Sequence, residues 1–221
     1  VNDLYEPLVN FWQQLQIFGP DLKSKLSDLK SKYNDPTKAK VLFLESKEYL
    51  SHPSKFTDSL QRAVSFYIVN KCSFSGLTES SSFSPQASDN NFSMRGIEKL
   101  DLYSDIIKNW KITNYSYDYL MDGNMQSFLY LDPPYDIKDN LYGNKGSMHK
   151  TFDHDKFAID CSACEMDQLI SYNSDQLVKD RFSGWNVGEF DLTYTMRSVG
   201  EYMQEQKSRK ELLLFNYELS G

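Results

Sequence analysis

Ser127-Phe128-Leu129-Tyr130-Leu131-Asp132-Pro133-Pro134-Tyr135 is the stretch on which the reading of this chain turns. A β-prone run, 127–131, ends abruptly in an acid and two prolines. Proline has no N–H to give to a ladder and fixes its own φ, so the strand must stop there. Ligands in open α/β sheets bind beyond the carboxyl ends of strands, and this is such an end. With proline near 5% of residues, an acid or amide followed by Pro-Pro and an aromatic arises by chance in about one chain in a hundred of this length.

The residue types suit one chemistry. An exocyclic amine whose lone pair is delocalised into a base becomes nucleophilic when its hydrogens are accepted and the nitrogen is drawn toward tetrahedral geometry. Asp132 offers a carboxylate for one hydrogen, and the Pro133 carbonyl offers a second acceptor because Pro134 has no N–H. The two prolines stiffen the turn that carries both. Tyr135 adds a flat face for a base, worth about 1–3 kcal/mol in stacking, and for stacking the ring matters rather than the hydroxyl. The bland alternative is a strand-ending proline turn with an aromatic lid.

Outward from this stretch the pattern is α/β. Before it, residues 4–17 carry Leu4, Leu8, Phe11, Trp12 and Leu15 at helical spacing behind Asn2-Asp3, and a second helix is predicted after Gly19-Pro20. Helices are also predicted over 36–51, 56–71 and 98–109, with a short strand at 111–116. Residues 72–95, rich in Ser, Asn and Gly, read as an irregular, exposed binding loop. After a glycine-containing loop at 136–151 come a short helix, a strand at 168–172, a helix at 175–182 and paired strands at 189–195 and 211–217. Strands alternating with helices and closing on an antiparallel pair predict a sheet of mixed direction.

Composition bounds the rest. The 221 residues, 40% hydrophobic, suffice for one sizeable core with a small subdomain. No apolar run nears the roughly 18 residues that span a bilayer, and a cytoplasmic protein is expected. Cys72, Cys161 and Cys164 are an odd number of thiols, read as reduced; a zinc site wants about four ligands, and beside Cys161 and Cys164 the nearby candidates are only His149, His154 and acidic side chains, so no metal is expected. A net charge of −7 argues against a protein that coats nucleic acid by charge alone, but leaves room for a local basic cleft. Lys138, Lys145 and Lys150, and again Lys207, Arg209 and Lys210, are candidates for one, or simply solvated loops.

With these residues in view, the chain resembles the Dam-like family of DNA adenine N6-methyltransferases, patchily but in order over nearly its whole length. Asn2-Asp3-Leu4 followed by Pro7-Leu8-Val9 resembles the family's acidic motif, which implies that Asp3 holds the cofactor ribose; a helix N-cap fits Asp3 equally well. Residues 66–77 are similar to the family's helix and hairpin entrance, implying DNA contacts from Lys71, Phe74, Ser75 and Leu77, with Thr78-Glu79 where the family has a basic residue. Tyr117-Asp118-Tyr119 resembles the segment that contacts the cofactor adenine, giving that role to Asp118 and Tyr119, though Asp118 also reads as a turn aspartate. Leu169 to Ser174 resembles a strand ending beside the target base, which implies a DNA contact from Asn173. Arg197-Ser198 and the cluster from Lys207 to Lys210, with Arg209 in it, resemble a loop near DNA.

The resemblance implies a Rossmann-like sheet of the S-adenosylmethionine-dependent type, with a helical target-recognition subdomain. It implies a cofactor-binding remnant at 1–18, target recognition at 19–110 and a catalytic α/β half at 111–221. The catalytic residues are then Asp132, Pro133, Pro134 and Tyr135, with Asp132 also toward the cofactor. The cofactor is S-adenosylmethionine and the partner double-stranded DNA; a restriction endonuclease is a counterpart the family allows, and a monomer is expected. The family's glycine loop and first strand belong ahead of Asp3 and are not in the chain. A fragment, inactive as it stands, is therefore expected. Methylation of RNA or of a protein glutamine usually goes with Asn before Pro-Pro, so Asp132 favours DNA. A catalytically silent DNA-binding relic is the alternative from another class.

Overall fold

The computed structural model describes residues 1–74, 81–123, 126–135, 151–192 and 209–219. These fall into two compact units, Val1–Tyr117 and the residues from Asp118 on.

The first unit is helical, with α1 (Glu6–Lys32), α2 (Pro36–Ser51), α3 (Ser59–Cys72), α4 (Pro85–Asn90), α5 (Met94–Glu98) and α6 (Leu100–Ile107). The break expected at Gly19-Pro20 is a kink instead: Phe18 leaves helical geometry at φ −125°, ψ 35°, and the helix resumes with Pro20 inside it. Proline removes one backbone bond but not the apolar stripe, and Leu15, Leu22 and Leu26 bury on both sides of the kink. Gly19 lies where an added Cβ would come within 2.9 Å of the Ser104 Oγ, so α6 packs directly on the kink. Phe11, Phe43, Val64, Ile68, Phe92 and Ile97 belong to the same core. Asp35 caps α2 and Asp58 caps α3.

Two expectations for this unit are corrected. Residues 111–116 form no strand; Thr113 makes only an isolated bridge to Asn2. The Asn2 side chain takes the place of a ladder, accepting from the Thr113 hydroxyl and the Tyr115 N–H and donating to the Tyr115 carbonyl. The described part of 72–95 is not an exposed loop either. Ser84 and Ser93 cap the short helices α4 and α5, Pro85 sits at the first turn of α4, and Phe92 and Ser88 are buried.

The second unit begins near a 3-10 turn, Tyr117–Leu120, and contains β1 (Phe128–Leu131), α7 (His154–Ala163), β2 (Asp167–Asn173), α8 (Gln176–Arg181), β3 (Asn186–Leu192) and β4 (Arg209–Phe215). The strand order is β1-β2-β4-β3. β1 runs parallel to β2, while β4 is antiparallel to both β2 and β3, the mixed sheet that the sequence predicts. Alternation sets the core: Gln168, Ile170 and Tyr172 of β2 and Leu212 and Leu214 of β4 are buried with Phe157, Val178 and Phe182 from the helices. Phe128 and Tyr130 of β1 stay exposed.

Candidate active site

β1 ends at Leu131, whose register partner on β2 is Ile170, so the next residues, Asp132 and Ser171, come side by side. The Ser171 hydroxyl donates to Asp132 Oδ1 at 2.8 Å. Ser171 has one proton and a carboxylate can only accept, so the Tyr130 hydroxyl, 3.0 Å away, is the donor to Ser171 Oγ. Tyr130, Ser171 and Asp132 thus form a line of hydroxyls ending on one carboxylate oxygen. Among the described residues the other oxygen, Oδ2, has no hydrogen-bond partner, and Asp132 is exposed. Pro133 beside it is buried, which anchors the turn.

Among the described residues Tyr135 is gripped by Glu211 and Tyr172. Its hydroxyl donates to Glu211 Oε2 at 2.8 Å, and its ring lies near-parallel to that of Tyr172, 25° between planes and 6.5 Å between centroids. Tyr172 is itself fixed, buried to 1% exposure, its hydroxyl hydrogen-bonded to His154 Nδ1 at the start of α7. Phe152 packs edge-on against His154, and Phe182 lies against Tyr172. Asp153 caps α7 by accepting from the Lys156 N–H, which sets where His154 enters.

The other residues singled out from sequence are dispersed. Asn173 ends β2, level with Glu211 of β4 and one strand from the Pro-Pro turn. Asp118 and Tyr119 are exposed on the 3-10 turn of the same unit; the hydrogen bond that the Lys156 ammonium donates to Asp160, with further attraction from Asp118, raises the pKa of Lys156. Asp3 belongs to the helical unit, where Oδ1 accepts the Tyr5 N–H in a local turn. Tyr5, not Asp3, holds the cap position of α1. Lys71 lies in the last turn of α3 with its ammonium 5.6 Å from the centre of the Tyr67 ring, and burial lowers its pKa. Phe74 is exposed, and its N–H donates to the Ser82 carbonyl. Ser75, Leu77, Arg197 and Lys207 lie outside the described residues, as do Lys138, Lys145 and Lys150; Arg209 is described by its backbone, which opens β4.

Ser171, Glu211, Tyr172 and His154 carry no site role in the sequence reading. The signal for Glu211 was present, an acid heading the apolar run Leu212-Leu213-Leu214-Phe215, where charge is normally excluded.

A family model described as D12 class N6 adenine-specific DNA methyltransferase matches residues 1–196. The chain belongs to this family. The match spans the helical unit, the Asp132 to Tyr135 turn and β2, whereas Glu211 and the basic cluster lie beyond it. No curated protein is matched by the chain. In this family member the turn after β1 presents a carboxylate anchored through one oxygen, with an aromatic ring three residues on. Among the described residues no helix is long and apolar enough to cross a membrane.

Proposed function

We propose that this chain serves the transfer of a methyl group from S-adenosylmethionine to the 6-amino group of an adenine flipped out of double-stranded DNA. The observation that carries this is the one-sided anchoring of Asp132, with Oδ1 bound by Ser171 and Oδ2 without a hydrogen-bond partner among the described residues. A carboxylate held by one oxygen does not need to reorganise when the substrate arrives, and that preorganisation lowers the barrier.

Asp132 Oδ2 accepts one amino hydrogen and the Pro133 carbonyl the other, drawing the nitrogen's lone pair out of the ring. As the nitrogen gains the methyl group it must shed a proton, and Oδ2 already holds the hydrogen concerned. Tyr135 supports the extruded base by stacking, which offsets part of the unstacking cost of a few kcal/mol. Positioning does the rest, since the base itself is the nucleophile.

Individual residues support the cofactor reading. An exposed carboxylate, Asp118, can accept from the exocyclic amine of its adenine, and the exposed Tyr119 stands beside it. Asp3 would accept from the ribose hydroxyls. S-adenosylmethionine supplies a methyl group activated by its bond to a cationic sulfur. DNA is read and held, in this proposal, by Lys71, Phe74, Ser75, Leu77, Asn173, Arg197, Lys207 and Arg209.

Asp132→Ala in the complete protein tests the reading with tritiated methyl donor and an adenine-containing duplex. Loss of a preorganised group of this kind costs about 2.7–4 kcal/mol, so kcat should fall by about 10²–10³ with the thermal transition retained. Turnover near that of the parent protein would overturn the assignment.

A further inference from the structure

A base-stacking role has no use for the hydroxyl of Tyr135, yet the structure gives that hydroxyl a partner of unusual kind. Glu211 is 3% exposed, on a strand otherwise apolar from Leu212 to Phe215. Taking a carboxylate out of water is costly unless its oxygens are hydrogen-bonded, and Oε2 accepts from Tyr135 at 2.8 Å across 76 positions of sequence. Glu211 owes its place to register: it pairs with Asn173 of β2 on one side and Phe190 of β3 on the other, at the end of the sheet where the Pro-Pro turn lies.

A tyrosine held only by its stem can turn about both side-chain bonds. A bond at the far end of the ring and a stack on one face remove both freedoms. The near-parallel ring of Tyr172 further limits how Tyr135 can turn. We infer that Glu211 is a positioning residue for methyl transfer, fixing the plane of Tyr135 through its hydroxyl so that the ring meets the flipped adenine squarely. The inference rests on the proposed stacking role of Tyr135, and it concerns a residue outside the span of the family match.

The test uses the complete protein and four variants: Glu211→Gln, Glu211→Leu, Tyr135→Phe, and the Leu and Phe changes together. Because misplacement by about 1 Å can cost up to about 100-fold, Glu211→Leu and Tyr135→Phe should each lower kcat by roughly tenfold or more, with KM for DNA within about threefold. Glu211→Gln keeps an accepting oxygen and should retain most of kcat. The double variant should be little worse than either single one, since both break the same bond. Full kcat in Tyr135→Phe, or losses that multiply in the double variant, would overturn the inference; Tyr135→Phe decides the matter should Glu211→Leu fail to fold. A second readout needs no turnover: the ring carbon resonance of Tyr135, assigned by its absence in Tyr135→Phe, should move in Glu211→Leu and hold in Glu211→Gln. An unmoved resonance in Glu211→Leu overturns the inference whatever the activity, whereas a parent protein without transfer but with the expected shift counts against the adenine reading and supports the Tyr135 contact.

Discussion

Ser171 gives its only proton to Asp132, and the arrangement makes the serine more sensitive to change than its modest exposure suggests. Losing a hydrogen bond to a charged group costs about 1.5–3 kcal/mol when nothing replaces it, and less at an exposed site such as this, where solvent can reach the carboxylate. Ser171→Ala should therefore lower kcat by roughly tenfold in the methyl-transfer assay while leaving the melting temperature within about 3 °C of the parent. An unchanged kcat would mean that the carboxylate is oriented by the Pro-Pro turn alone. The thiols make a separate prediction. Burial pushes Cys72 up to about 12 and raises Cys161 as well, so both stay protonated and shielded, whereas Cys164 is half-buried. Since the thiolate is the reactive form, a chromogenic disulfide at pH 8 should label Cys164 first, with the others reacting only on unfolding.

The helices of the first unit depend on acids at their starts. Asp58 accepts the Gln61 N–H at the head of α3, the helix that packs against both α1 and α2. Asp58→Ala should cost about 1 kcal/mol in urea unfolding, and a loss below about 0.3 kcal/mol would show that tertiary packing alone sets that terminus. Asp35 differs in being ion-linked: the hydrogen bond from the Lys38 N–H, then its ammonium, holds the carboxyl below its ordinary 3.8. A depressed folded pKa contributes stability above the unfolded value and loses it as pH falls through the folded one. The gap in melting temperature between the parent and Asp35→Ala should thus be open at pH 7 and narrow below about pH 4. The long helices were legible in sequence because their apolar spacing and caps are local. Residues 111–116 and 81–95 were not, because side-chain bonds from Asn2, Ser84 and Ser93 replaced the backbone patterns that composition suggests. The same division runs through the site. Asp132 and Tyr135 lie three residues apart and announce themselves, whereas Ser171 and Glu211 reach them across 39 and 76 positions, distances that only strand register resolves.

For the molecule as a whole, a net charge of −7 sets the terms of any meeting with DNA. An acidic surface repels phosphate at long range, so affinity must come from a few placed cations, and each such cation should be visible in the salt dependence. Reversing the charge of Lys207 and Arg209 should weaken binding to all duplexes about equally and reduce the slope of log K against log salt by about one unit for each phosphate left unneutralised. A changed sequence preference at constant slope would place these side chains at base edges instead.

The four-residue β1 has one further consequence. A slip of one position against β2 would turn Leu131 out of the core and carry Asp132 away from Ser171 in the same movement. Turnover is therefore a gauge of fold fidelity: after refolding, the fraction of active molecules counts those in which two strands met in step. A copy assembled out of step is silent rather than half-active, so specific activity should fall with misfolding while kcat per active molecule stays constant.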